Sequence, residues 1–135
     1  SDLLKTAIIE NENRFQVSSL TDNMPVISSW ANDVSYDKIF VEQLKNSLTK
    51  NEILIGFSGS GNSKNIINAY EYAKQTGATC IGFTGNDGGK MKECCDICLQ
   101  IPSDDMLTIE SQHLVVCHCI INLIRSLGNP MFEYK

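Results

Sequence analysis

The residues best suited to chemistry lie in a loop at 58–63, which reads Ser-Gly-Ser-Gly-Asn-Ser between an apolar run and a helical pattern. Hydroxyls of Ser58, Ser60 and Ser63, with bare backbone N–H groups at a helix start, can hold a phosphate without a lysine. The loop lacks the Gly-Lys-Ser/Thr end of a Walker A motif, and Lys64 replaces the third glycine of the dinucleotide fingerprint. We therefore predict a phosphate site, with a plain glycine-rich turn as the alternative.

A carboxylate and two imidazoles lie in the C-terminal helical pattern, where they could exchange protons near neutral pH. Glu110 and His118 would lie two helical turns apart on a similar face, roughly 12 Å along the axis. His113 would lie about 140° around the helix from His118, so one pocket should not take both. For a histidine among apolar neighbours, the alternative is a core residue with its hydrogen bonds satisfied.

Alternating strand and helix patterns must position these residues. We expect strands at 52–57, 79–84 and 96–101, alternating with helices at 63–76, near 89–94 and at 107–126. This order predicts an α/β fold with a parallel sheet and helices on both faces, and ligands bind beyond the carboxyl ends of such strands. The loop at 58–63 follows the first of these strands at that edge. Gly77 should end the helix before it in the left-handed conformation.

The first part of the chain is less regular. The pattern predicts the end of a helix at 1–8, a weak strand at 15–20, and helices at 22–31 and 36–48. A chain of 135 residues is long enough for one domain with its own core, so we predict a single domain over 1–135.

Composition excludes several classes of partner. A net charge of −5 without a basic cluster argues against nucleic acid. No apolar stretch approaches the roughly 18 residues that span a bilayer, and we expect no membrane partner. Residues 1–5 have neither the basic start nor the long apolar core of a signal peptide, so we expect none.

Cys94 and Cys95 lie near Cys98, and Cys117 and Cys119 form a second cluster, but the two clusters do not make the pair of Cys-x-x-Cys units that holds structural zinc. Cys80, Cys98, Cys117 and Cys119 lie in apolar runs, where cysteine behaves as a small hydrophobic residue. We expect reduced thiols in a cytoplasmic protein. A redox or metal-binding protein built on these cysteines is a minor alternative.

Four motifs in order resemble one family. The loop at 58–63 is similar to the phosphate loop of the sugar isomerase (SIS) domain. Residues 83–91, Phe-Thr-Gly-Asn-Asp-Gly-Gly-Lys-Met, look like the following strand end and turn in its phosphoheptose isomerase branch. Ile-Pro-Ser at 101–103 and the helix that carries Glu110, His113 and His118 continue the match in order. Upstream, Ala-Asn-Asp at 31–33 also fits, so the resemblance covers nearly the whole chain.

The resemblance implies a three-layer αβα sandwich with a doubly wound parallel sheet. Family members carry a further strand, a glycine-rich loop and one or two helices upstream that this sequence lacks, so we expect a chain that is incomplete at its N-terminus. The alternative is a chain that has lost a substantial part of the site. They form homotetramers with sites at subunit interfaces, which implies a homo-oligomer here.

The activity implied is a ketose–aldose phosphate isomerase that works through an enediol. It would convert sedoheptulose 7-phosphate to a heptose 7-phosphate for lipopolysaccharide or capsule synthesis. The alternative is a non-catalytic SIS module that senses phosphosugars. The residues expected to bind the phosphate of the sugar are Ser58, Gly59, Ser60, Asn62 and Ser63.

Catalytic roles also follow from the resemblance. His118 falls on the family's catalytic histidine, and Asp2 lies near its catalytic glutamate when one counts back from the following strand. A solvated surface acid is the alternative for Asp2. Glu110 stands where the branch usually has glutamine, and it could act as a base, bind a metal or only cap the helix start with its negative charge. Thr108 replaces a common arginine, which leaves the sugar specificity open.

Asn32 and Asp33 resemble a pair that lines the family's sugar site, although Asp33 or Ser35 could instead cap a helix at 35–48. Some family members bind a metal, and Glu110, His118 and Asp2 could hold zinc. Enediol chemistry with a nearby acid and base does not need one, so we predict no required cofactor.

Overall fold

The computed structural model describes residues 1–134, which divide into two compact units. The sheet unit comprises Leu20–Glu110, and the terminal unit comprises Ser1–Ser19 with the chain from Ser111 onward. The boundary falls within the last helix of the chain. The single domain predicted for 1–135 stays a prediction.

The sheet unit has a mixed α/β fold around a three-stranded parallel sheet of order β1-β2-β3, which confirms the predicted class. Its elements are α1 (Met24–Asp33), a 3-10 turn (Tyr36–Lys38), α2 (Val41–Ser47), β1 (Ile53–Ser58), α3 (Lys64–Thr76), β2 (Thr79–Gly85), α4 (Met91–Cys94), β3 (Ile97–Ile101) and the start of α5 (Met106–Arg125). Gly77 ends α3 with φ of 86°, in the predicted left-handed conformation.

One face of this sheet packs on α3 and α4. Tyr70, Ala73, Cys80 and Met91 are fully buried there, and all are within one core cluster. Side chains alternate along a strand, so the even-numbered residues of β1 and β2 face these helices. Gly56 leaves room for Tyr70, since a Cβ at that position would lie 2.7 Å from the tyrosine hydroxyl.

The other face is covered only in part within the sheet unit. Ile53, Ile55 and Phe57 of β1 remain 44–60% exposed. At the carboxyl end of the strands, the first turn of α5 packs Met106 against Gly59 and Ile109 against Gly85, where a Cβ on either glycine would overlap the partner side chain. Helices therefore lie on both faces at the edge that carries the phosphate loop.

Changing Tyr70 to phenylalanine should destabilise the sheet unit. The Tyr70 hydroxyl donates to the carbonyl oxygen of Ile81 at 2.7 Å, and burial raises the pKa of this phenol. The variant leaves a buried carbonyl with one partner fewer, which costs about 1–2 kcal/mol. Urea unfolding should show a lower midpoint with an unchanged slope. An unchanged midpoint would mean that the hydroxyl contributes nothing to stability.

In the terminal unit, the two ends of the chain are held together. Ile9 pairs with Pro130 in an antiparallel bridge, and Met131 donates its N–H to the Ile8 carbonyl at 3.0 Å. The Arg125 guanidinium, at the end of α5, donates to the carbonyl oxygens of Thr6 at 2.9 Å and Phe132 at 2.7 Å. These bonds fix residues 1–10 beside the end of α5.

Three predictions for the first part of the chain are wrong. Residues 15–20 form no strand and are largely exposed, since no described strand pairs with them. At 1–8, only Asp2–Leu4 form a 3-10 turn, because the following residues leave the helix to pair with the C-terminal segment. The helix predicted at 36–48 splits near Ile39, whose carbonyl accepts from the Gln43 side chain at 2.7 Å.

All six cysteines are free thiols, but they differ in exposure. Cys80 is buried as expected for a small hydrophobic residue, and burial raises its pKa to about 11. Cys119 is exposed, so the prediction of an apolar setting is wrong for that residue. It lies on a face of α5 turned toward solvent.

Among residues 1–134, one helix is long and apolar enough, by length and composition, to cross a membrane. This helix is α5, of which 17% is buried over the apolar window. The expectation that no segment reaches such a length is wrong by this criterion. One such helix is weak evidence for a membrane span, because core helices of soluble proteins pass the same test.

Candidate phosphate loop and acid–base pair

The phosphate loop runs from the last residue of β1, Ser58, to Ser63, which precedes the first residue of α3. A tight turn closes it, with the Gly61 N–H donating to the Ser58 carbonyl at 2.9 Å. The Ser58 hydroxyl donates to the Ser63 hydroxyl at 3.0 Å, and Ser60 accepts from the Asn62 N–H at 3.2 Å. The loop therefore gathers three hydroxyls at the positive end of α3.

A second turn, at residues 85–90, packs against this loop. The Gly61 carbonyl accepts from the Met91 N–H at 2.9 Å, and the Asn62 carboxamide oxygen accepts from the Lys90 N–H at 3.2 Å. Gly61 has φ of 63°, and a Cβ there would overlap the carbonyl oxygen of Gly88. Asn62 is thus engaged in the turn, and the glycines allow the two loops to approach closely.

An acid–base pair lies in the terminal unit. His118 Nε2 is 3.7 Å from Asp2 Oδ2, and the Thr6 hydroxyl donates to Asp2 Oδ1 at 3.0 Å. These residues line a cavity of about 440 Å³ together with Arg125 and Tyr134. The side chains of His118 and Asp2 are 58% and 41% exposed, so a ligand in the cavity could reach both. Two groups that exchange protons near neutral pH therefore share one cavity.

Two basic side chains contact Tyr134, which lines this cavity. Arg125 lies over the ring of Tyr134, with 5.0 Å between the guanidinium carbon and the ring centroid. The Lys5 ammonium donates to the Tyr134 hydroxyl at 3.0 Å, and this hydrogen bond lowers the pKa of the phenol. Sequence reasoning missed these residues. Only Thr6, four positions after Asp2, carried a local signal, since such spacing brings side chains together on a helical turn.

The other predicted residues of α5 have different settings. Glu110 is exposed in the sheet unit, whereas His113 is buried, with 6% of its surface exposed. Thr108 donates from its N–H and its hydroxyl to one carboxylate oxygen of Asp105, at 2.8 and 2.6 Å. These bonds lower the pKa of Asp105 and engage Thr108 at the start of the helix.

Asn32 and Asp33 are the last residues of α1 and are exposed. The Asn32 carboxamide donates to the Asp33 carboxylate at 2.8 Å. Asp33 ends a helix and so does not cap the next one, whereas Ser35 lies at the N-cap position of the turn Tyr36–Lys38 without a side-chain capping hydrogen bond. The role of this pair in binding sugar stays a prediction.

The described residues, 1–134, contain no group of three or more histidine, cysteine, aspartate or glutamate side chains placed to hold a metal. Asp2 and His118 offer one oxygen and one nitrogen ligand, whereas a zinc site in a protein takes at least three protein ligands. Glu110, the third ligand that the resemblance implies, joins no such group among residues 1–134.

Comparison with known proteins identifies relatives. Residues 15–117 match the SIS domain family model. The chain is 42% identical to phosphoheptose isomerases of Burkholderia pseudomallei (strain 1710b) and Aliarcobacter butzleri over 106 residues, which is 78% of this chain and 54% and 56% of theirs. The structure resembles phosphoheptose isomerase GmhA from Neisseria gonorrhoeae, with a TM-score of 0.78 and 29% identity over 81% of this chain and 61% of that one.

A second solved relative, a phosphoheptose isomerase from Francisella tularensis, gives a TM-score of 0.75 at 30% identity, covering 78% of this chain and 56% of that one. The chain spans about half the length of the curated relatives that it matches. The family model, by contrast, covers most of the chain, from the segment before α1 to the second half of α5. This chain belongs to the SIS domain family.

Proposed function

We propose that the protein is a phosphosugar isomerase that converts sedoheptulose 7-phosphate to a heptose 7-phosphate through an enediol. The observation that carries the proposal is the contact of Asp2 with His118 beside an open cavity. The phosphate loop and the relatives named phosphoheptose isomerase support it. Asp2 is the proposed acid in preference to Glu110, because it is the carboxylate found against His118.

The reaction moves one proton between carbons and one between oxygens. A carboxylate takes the proton from C1 of the ketose and returns it to C2, while an imidazole gives a proton to the C2 oxygen and takes one from the C1 hydroxyl. No atom is gained or lost over the cycle. We assign the transfer of the carbon-bound proton to Asp2. We assign the transfers of the oxygen-bound protons to His118, because an imidazole can both give and take a proton near neutral pH.

The phosphate loop is the proposed site for the phosphate group of the sugar. Three hydroxyls and the N–H groups at the start of α3 suit a dianionic phosphate, since the helix dipole favours negative charge there. Ser58, Ser60 and Ser63 would contact the oxygens, with Gly59 and Asn62 shaping the loop. Asn32, Asp33 and Thr108 are proposed to contact the sugar hydroxyls.

Further parts of the proposal concern the setting of the enzyme. We infer a cytoplasmic homotetramer that supplies heptose for lipopolysaccharide or capsule. The large exposed apolar side chains of α5, such as Leu114 and Leu123, support the assembly of subunits, because they suit burial against another subunit.

We also propose that turnover needs no metal. Overnight dialysis of the full-length protein against a chelator should leave kcat unchanged within about twofold, because the proton steps rest on side chains alone. Loss of activity that added zinc restores would contradict this part of the proposal. Dialysis against buffer without chelator is the control.

The test is to incubate the full-length protein with sedoheptulose 7-phosphate and follow the proton NMR spectrum. New signals of an aldose phosphate are the expected result. A matched incubation with sedoheptulose, which lacks the phosphate, should show far slower conversion. Broadening of the ligand signals without turnover would contradict the enzyme and indicate a phosphosugar receptor.

A further inference from the structure

A chain of hydrogen bonds ends on the carboxylate of Asp2. The Lys5 ammonium donates to the Tyr134 hydroxyl at 3.0 Å, and the Tyr134 and Thr6 hydroxyls are 3.4 Å apart. The Thr6 hydroxyl then donates to Asp2 Oδ1 at 3.0 Å, and Asp2 Oδ2 faces His118 Nε2. All five residues belong to the terminal unit.

The protons that each side chain can donate determine which atom is the donor in every one of these hydrogen bonds. An ionised carboxylate only accepts, so Thr6 gives its single hydroxyl proton to Asp2. The Thr6 oxygen is left to accept from Tyr134, whose own oxygen accepts from the Lys5 ammonium. Every donor therefore points toward Asp2, an arrangement in which successive hydrogen bonds polarise one another.

We propose that Thr6, supported by Tyr134, positions the Asp2 carboxylate for proton transfer. This inference rests on the proposed function, and it gives Thr6 and Tyr134 a role in that function. Asp2 lies on a 3-10 turn of only three residues and is 41% exposed, so its own backbone does little to hold its side chain. The bond from Thr6 fixes one carboxylate oxygen, which leaves the other toward His118.

The backbone of Thr6 is itself fixed. The Arg125 guanidinium donates to the Thr6 carbonyl at 2.9 Å and also lies over the Tyr134 ring. Arg125, the last residue of α5, therefore contacts both Thr6 and Tyr134. The position of Asp2 is therefore tied to the helix that carries His118.

The test compares Thr6→Val with Thr6→Ser in the full-length protein. Valine keeps the shape of the threonine side chain and loses its hydroxyl. We expect kcat to fall about tenfold and KM to change less than about twofold. A small displacement of a catalytic group lowers the rate by one to two orders of magnitude. Serine restores the hydroxyl and should recover most of kcat. Tyr134→Phe should give a smaller loss of kcat than Thr6→Val.

Wild-type kcat in Thr6→Val would overturn the inference. So would a loss of kcat in Thr6→Ser as large as in Thr6→Val, or a rise in KM with kcat unchanged. Thermal unfolding of each variant identifies a loss of fold, which would lower kcat for both substitutions alike.

A second readout does not depend on turnover. The side-chain NMR signals of His118 should shift in Asp2→Asn, and Thr6→Val should shift them in the same direction, whereas Thr6→Ser should not. Unshifted His118 signals in Thr6→Val would overturn the inference. If the wild type has no isomerase activity but the shifts appear, the proposed function fails and the placement of Asp2 by Thr6 stands.

Discussion

Replacing His118 with alanine should reduce kcat by about 10³-fold, because a positioned acid–base group contributes two to four orders of magnitude to such a reaction. The imidazole lies on the open side of the cavity, 3.7 Å from Asp2, and supports no described buried contact of the fold. KM should change little, because His118 is assigned to proton transfer and not to phosphate binding. Steady-state kinetics with sedoheptulose 7-phosphate measures both constants.

Cys119→Ala provides the matched control for this variant. Cys119 is the next residue on α5, is exposed, and does not line the cavity. Its replacement should leave kcat and KM within about twofold of the wild type, as expected for an exposed side chain that touches no reacting group. If His118→Ala kept more than a tenth of the wild-type kcat, His118 would not be the acid–base group.

Gly61→Ala should disable the phosphate loop. A Cβ there would overlap the Gly88 carbonyl, which is backbone and cannot rotate away, and the residue has φ of 63°. The two loops must separate, which moves the hydroxyls gathered at the start of α3. We expect KM to rise at least tenfold and unfolding free energy to fall by roughly 2 kcal/mol or more.

Gly77→Ala separates these two effects. Gly77 also has a positive φ, 86°, but it ends α3 at the far end from the loop, where a Cβ would meet only the Lys50 side chain at 3.4 Å. This variant should lose about 1 kcal/mol of stability through backbone strain and keep the wild-type KM. An unchanged KM in Gly61→Ala would mean that the loop does not bind the substrate.

The elements from β1 onward were predictable because local signals agree with the tertiary structure there. The apolar runs of β1 and β2 end in glycine-rich turns, and Gly77 marks the end of α3. Predictions failed where long-range contacts decide the conformation. The Gln43 side chain takes the carbonyl that a continuous helix would use, and the bridge of Ile9 with Pro130 draws the first residues out of a helix.

The residues of the candidate site also differ in how far the sequence alone predicts them. The phosphate loop is contiguous in sequence, so its residue types and spacing sufficed to predict it. Asp2 could be predicted as a site residue only from the resemblance to a family, because nothing in the sequence around a lone acid near Ser1 indicates a catalytic role. The contacts of Thr6 and Lys5 with Tyr134 join residues 128 and 129 positions apart, and no local pattern encodes them.

Solvent exchange during turnover tests the central claim, that Asp2 and His118 move a proton through an enediol. The full-length protein would be incubated with sedoheptulose 7-phosphate in D₂O and followed by NMR. We expect deuterium at the carbon next to the carbonyl in the wild type and at least about 10²-fold slower incorporation in Asp2→Asn. Incorporation in Asp2→Asn at the same rate as in the wild type would contradict this mechanism.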